Sequence, residues 1–179
     1  MYLGRGVVTG VVAMSVVVVA SNFLVQHPIN DWLTYGAFTY PVAFLITDLC
    51  NRALGPAQAR RVVYAGFAIA VVLSIYFATP RIAIASGTAF MIAQLVDISI
   101  FNRLRGGVWW RAPLVSSTVA SAVDTVLFFG IAFAATEVPW VTLGIGDYAA
   151  KLFVAAMMLI PFRLMLGLTR PGVASTAQH

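Results

Sequence analysis

"IAIASGTAFMIAQLVDISIFNRLRGG", residues 82–107, decides how the rest of the chain is read. About 20 apolar residues cross a hydrocarbon core of ~30 Å, and the stretch up to Phe101 has that length and character. Yet Gln94 and Asp97 fall inside the run rather than beyond its end. A carboxylate at the centre of a membrane helix costs about 2.5–3.5 kcal/mol on insertion scales, so intramembrane acids mark a cavity, an ion pair or a proton path. Arg103, Arg105 and two glycines then close the span.

Working outward, the 179 residues are 61% hydrophobic and 9% charged, with a mean hydropathy of +0.93. Soluble domains carry roughly 25% charged residues. The expectation is therefore an all-α polytopic membrane protein, a six-transmembrane-helix bundle with spans at about 6–26, 33–51, 62–79, 82–102, 112–135 and 148–168. Residues 1–171 form one transmembrane domain and 172–179 a short flexible tail in this reading. Pro28, Pro56, Pro80 and Pro139 sit in the breaks, where a missing backbone donor does least harm. The glycines of "GIGDY", residues 144–148, read as a turn before the sixth span. No small-residue cleavage pattern follows the first apolar run, so it reads as a retained helix rather than a signal peptide.

Arg5, Arg52, Arg60, Arg61, Arg103, Arg105, Arg111, Arg163 and Arg170 all fall on one side of such a bundle, leaving Arg81 and Lys151 on the other. The positive-inside rule then puts both termini in the cytoplasm. The same scattering argues that the net charge of +5 sets topology and does not serve a nucleic acid. Cys50 is the single cysteine, and His27 and His179 are far apart, so no disulfide, metal or cofactor site is expected within the chain. No nucleophile elbow and no phosphate-cradling glycine loop appears, which argues against an enzyme and against an ATP-driven chain.

Helical spacing arranges the intramembrane polar residues in stripes. Tyr40, Phe44, Thr47, Asp48 and Asn51 share one face, as do Phe90, Gln94, Asp97 and Phe101, and Ser117, Ser121, Asp124, Thr125 and Phe128. Plainer readings exist for several of them. Ser117, Ser121 and Thr125 suit close helix packing, within the chain or at a homodimer face. The phenylalanines suit packing or lipid contact, and Asp48 and Asp97 lie near enough to Arg52 and Arg103 for ion pairs at the interface. Asp124, twelve residues into its span with no basic residue in its turn, has no such cheap explanation. Asp147 and Lys151 make a favourable i,i+4 pair, although a lone lysine there would snorkel outward.

The blocks "SNFLVQHPI", "LTYGAFTYPVAFLITDLCNRALGPAQARR", "ASGTAFMIAQLVDISIFNRLR", "WWRAPLVSSTVASAVDTVLFFGIAF" and "DYAAKLF" cover most of the chain. In these the sequence resembles the bacterial queuosine precursor transporter family, also called the vitamin uptake transporter family. The resemblance implies a multi-pass inner-membrane importer of 7-cyano-7-deazaguanine and its aminomethyl relative, salvaged into the tRNA nucleoside queuosine. It also implies functional positions at Asn22, Asp48, Gln94, Asp97, Asp124 and Lys151. Tyr40, Phe44 or Phe101 would stack on the flat base, and Ser121 would join the polar stripe. A related architecture, the substrate-binding component of energy-coupling-factor transporters, would instead require separate ATPase partners. A guanine-like edge presents two N–H donors beside a carbonyl, which suits a carboxylate fork and an amide.

Overall fold

The computed structural model describes residues 2–77 and 79–166. Ala78 and residues 167–179, with Arg170, His179 and the expected tail, lie outside the described residues. The elements are α1 (Tyr2–Leu24), β1 (Pro28–Asn30), β2 (Leu33–Thr34), α2 (Gly36–Thr39), α3 (Pro41–Leu54), α4 (Pro56–Phe77), α5 (Pro80–Leu104), α6 (Arg111–Phe133) and α7 (Trp140–Leu166). The architecture is helical apart from one antiparallel ribbon, β1 with β2. Among the described residues, α1 from Gly4, α5, α6 and α7 are long and apolar enough to cross a membrane, by length and composition.

Local chemistry explains where these helices begin and end. Pro41 occupies the first turn of α3 and has no N–H to continue the ladder from α2, so the expected helix over 33–51 is divided there. Gly55, at φ +86°, ends α3 in a conformation that penalises any Cβ, and Pro56 starts α4 with its φ preset. Thr79 caps α5, its hydroxyl accepting from the Ile82 N–H at 3.4 Å ahead of Pro80.

One boundary departs further from expectation. α7 begins at Trp140, so "GIGDY" is helical and not a turn. Gly146 is required there by close approach. A Cβ at this position would collide with the Trp32 carbonyl of the connection between β1 and β2. Thr142 secures the same contact, donating to the Asp31 carbonyl at 3.2 Å. The ribbon, read in sequence only as a connection, therefore lies against the start of α7.

α5 packs along α6, α1 along α4, and α7 against α6 and α3. Phe44, Phe90, Ile98, Val62 and Met14 fill one apolar core, Phe128 and Phe129 with Leu143 a second, and Phe101 with Ala112 and Phe162 a third. Val126 and Leu164 are 71% and 73% exposed while Gln94 and Asp97 are 0% exposed. That inversion, apolar outside and polar within, is the burial pattern of a bundle surrounded by lipid. At the far end of α6, Arg81 donates to the carbonyls of Ile131 at 3.0 Å and Ala134 at 2.6 Å, satisfying acceptors a helix terminus leaves open.

Candidate functional site

Lys151 organises the first of two buried polar clusters. Its ammonium lies 2.8 Å from Asp124 Oδ2 and 2.5 Å from Asp147 Oδ2, and 3.3 Å from Thr125 Oγ1. Thr125 in turn donates to Asp147 at 2.8 Å. Asp147 and Lys151 meet because they are one turn apart on α7, and α6 brings Asp124 and Thr125 from across the helix interface. The Tyr40 ring covers the ammonium at 5.1 Å from its centroid, a cation–π contact strengthened by desolvation. Two acids and one base leave this cluster with an excess negative charge when all three are ionised. Lys151 is 3% exposed and does not snorkel outward.

Ser21, Asn22 and Val25 of α1 and its end, Gly36 and Tyr40, Ser86 of α5, Asp124 and Phe128 of α6, and Asp147 and Lys151 of α7 enclose a cavity of about 20 Å³. That is room for one or two waters and far below the 300 Å³ or more of a typical small-molecule pocket. Asp124 and the Tyr40 hydroxyl are buried against each other at its wall, and neither Asp124 Oδ1 nor the hydroxyl makes a well-formed hydrogen bond to any other described group. Such groups cost about 1–3 kcal/mol each, so their persistence at one cavity wall points to a ligand that satisfies them. Another wall is the hydrogen bond from Ser86 Oγ to Asn22 Oδ1, 2.5 Å long. Beyond it lies a cleft of about 420 Å³ between α1, α4 and α5, which shares Asn22 and Ser86 with the cavity and is otherwise lined by Val18, Phe67, Ile84 and Phe90 among others.

The second cluster lies further along the same helices. Asp48 of α3, Gln94 and Asp97 of α5, and Ser116 of α6 are each at most 2% exposed. Ser116 donates to Asp48 Oδ1 at 3.5 Å, and Thr47 donates to Gln94 Oε1 at 2.5 Å. Asn51 anchors to the Ile98 carbonyl at 3.2 Å. Asp48 follows Tyr40 by eight residues on α3, and Asp97 follows Ser86 by eleven on α5. At 1.5 Å per residue the two clusters are thus separated by ~12–16 Å along the bundle, with Phe44 and Phe90 between them.

Of the residues singled out in sequence, Asn22, Tyr40, Asp124 and Lys151 line the cavity. Asp48, Gln94 and Asp97 converge with one another but not on it. Ser121 is buried between the clusters with its hydroxyl unpartnered. Phe44 and Phe101 are packing residues: Phe44 meets Tyr40 edge-on at 6.2 Å, and Phe101 meets Phe162 edge-on at 6.2 Å. The ion pairs considered between the inner acids and Arg52 or Arg103 are absent among the described residues. Arg52 instead donates to the Arg105 carbonyl at 3.1 Å, and Arg103 is exposed. Ser86 is an addition, and Phe128, read in sequence as a packing or lipid-facing member of the α6 stripe, is a cavity wall. Nothing in "ASGTAF" distinguishes Ser86 from a packing serine, whereas Asp147, one turn before Lys151, was visible as its partner and is now a cavity wall.

Comparison with known proteins adds an independent line. A family model described as "Putative vitamin uptake transporter" matches residues 34–79 and 74–166. The chain is 34% identical to a Haemophilus influenzae protein named "Probable queuosine precursor transporter", an alignment covering 81% of this chain and 79% of the relative. It is 32% identical to the Escherichia coli K12 "Queuosine precursor transporter", with the same shares covered. A Bacillus subtilis protein also named "Probable queuosine precursor transporter" is 25% identical over 72% of this chain and 69% of its own length. No solved structure matches the chain.

Proposed function

Because the chain belongs to the queuosine precursor transporter family, the vitamin uptake transporters, we propose that it imports 7-deazaguanine bases across the bacterial inner membrane without an ATPase partner. The substrates in this reading are 7-cyano-7-deazaguanine and its aminomethyl relative. The bundle crosses the bilayer six times as one domain, with both termini cytoplasmic. This orientation keeps Arg5, Arg52, Arg60, Arg61, Arg103, Arg105, Arg111 and Arg163 on the cytoplasmic side, and the Lys151 cluster then lies in the outer half of the bundle.

The observation that carries the proposal is the pair of buried polar groups on one cavity wall, Asp124 and the Tyr40 hydroxyl, which face each other and leave Asp124 Oδ1 and the hydroxyl short of further partners. A guanine-like edge offers the ring N–H and exocyclic amine that Asp124 lacks, and its carbonyl accepts from Tyr40. A charge-assisted bond of this kind contributes about 1.5–3 kcal/mol. Lys151 pairs with Asp124 and fixes it in place, acting on the base through the carboxylate. Phe128 and the Tyr40 ring supply the flat apolar faces, and stacking contributes about 1–3 kcal/mol per base by analogy with nucleic-acid platforms.

The cavity at this site is small and the neighbouring cleft is roomy. Parting Asn22 from Ser86 joins the two, which gives a base a route in from the α1–α4–α5 side. Uptake of labelled 7-cyano-7-deazaguanine by liposomes containing the purified chain tests the reading. Saturable uptake that Asp124→Ala abolishes, at normal membrane insertion, supports it. Binding without transport until ATPase subunits are added would instead assign the chain as the substrate-capture component of an energy-coupling-factor transporter.

A further inference from the structure

The Asp48–Asp97 cluster has no part in that reading, yet burying it is costly. The two carboxyls sit at 2% and 0% exposure and face each other closely enough to interact across the α3–α5 contact, with Ser116 against both. No ammonium or guanidinium group meets them among the described residues. On α3, Arg52 is held by the Arg105 carbonyl. Arg105, after α5, reaches the Asn51 carbonyl and Asn102 Oδ1, each at 3.5 Å. Arg103 of α5, Arg111 of α6, Arg163 of α7, Arg60 and Arg61 of α4, and Arg5 of α1 are all exposed. Lys151 is taken by Asp124 and Asp147.

Two neighbouring carboxyls in a medium of low dielectric do not both remain ionised, and a pair of this kind titrates as a unit. One proton, bonded to an oxygen of either group and donated to the other, replaces the repulsion with a strong O–H···O⁻ bond. A second observation points the same way. Apart from Ser116 and the Asp48 carboxyl, no described group donates to Asp97 Oδ1 or Oδ2, although Asp97 is 0% exposed. The void beside Asp48 and Ser117 is about 10 Å³, at the lower limit for one water. A base does not fit there.

We infer that the Asp48–Asp97 pair is a proton-binding site that couples import of the base to the transmembrane proton gradient. The inference rests on the transporter reading above. α3 and α5 each carry one acid of the pair, and each also holds one wall residue of the base cavity: Tyr40, the N-cap of α3, and Ser86 within α5. Loading the pair with a proton therefore acts on the helices that also hold the substrate.

The test uses the purified chain in liposomes and two assays with labelled 7-cyano-7-deazaguanine: counterflow at equal pH, which needs no driving force, and accumulation under an inward proton gradient. One unit of pH gradient supports up to about tenfold accumulation for one coupled proton. The wild-type chain is expected to accumulate the base and to lose accumulation with a protonophore. Asp97→Asn and Asp48→Asn are expected to keep counterflow and lose accumulation. Accumulation by Asp97→Asn equal to wild type, indifference of the wild type to the pH gradient, or drive by a sodium gradient overturns the inference. Loss of counterflow in both variants also overturns it, because the pair would then belong to the substrate machinery. Absence of counterflow in the wild-type chain defeats the transporter reading itself, and the coupling with it.

Discussion

Asp124 and Asp147 meet the ammonium of Lys151 at 2.8 and 2.5 Å, whereas Asp48 and Asp97, further along the same bundle, meet hydroxyls and each other. Each cluster buries two aspartates at 3% exposure or less. A single lysine separates their chemistry. With it, both acids are paired with a cation, and Asp124 Oδ1 faces a cavity. Without it, two acids share a buried site that has no cation among the described residues. Under the proposed function, the same side chain at comparable burial serves recognition in one place and charge storage in the other, and the partner decides which.

Removing that lysine breaks the comparison most severely. Lys151→Ala leaves Asp124 and Asp147 buried against each other, a defect of about 3–5 kcal/mol. The expected outcome is a much lower thermal midpoint in detergent and no measurable uptake; a normal midpoint would deny the ion triad a structural role. Asp124→Asn keeps the shape and removes the charge, so base affinity should fall about 10–100-fold, the value of a charge-assisted bond, while the protein still folds. Titration calorimetry on both proteins checks this. Gly146→Ala forces the Trp32 carbonyl away from α7 and loosens the ribbon packed there. Uptake should drop several-fold with the inner acid pair unaffected, so accumulation and counterflow should fall together. The smallest effect is expected from Thr47→Val, which removes the 2.5 Å bond to Gln94. About 1 kcal/mol of stability should be lost with base affinity unchanged, measurable as a small shift in the thermal midpoint.

The stripes were legible from sequence because helical periodicity reports which face a residue occupies. Tyr40, Asp48, Gln94, Asp97 and Asp124 were all correctly assigned to buried faces on that basis. Depth along the helix was not legible in the same way. Tyr40 and Asp48 share a face but stand ~12 Å apart along the axis, so the positions implied by the family resemblance resolve into two clusters. Lys151 as the partner of Asp124 was hidden for a different reason, since that contact joins α6 to α7 and has no local signature. Glycine propensity misled at "GIGDY", where Gly144 and Gly146 are helical and Gly146 answers to the Trp32 carbonyl rather than to a turn. Phe44 and Phe101 carry the composition of stacking platforms, yet aromatic spacing does not tell a platform from a core, and both lie in the core.

The division of labour between the clusters is tested most directly by equilibrium binding of 7-cyano-7-deazaguanine to the wild-type chain, Asp124→Asn and Asp97→Asn in one detergent at one pH. Affinity is expected to fall at least about tenfold in Asp124→Asn and to stay near the wild-type value in Asp97→Asn. Weakened binding in Asp97→Asn with full affinity in Asp124→Asn would contradict the account and move the base to the other pair of acids.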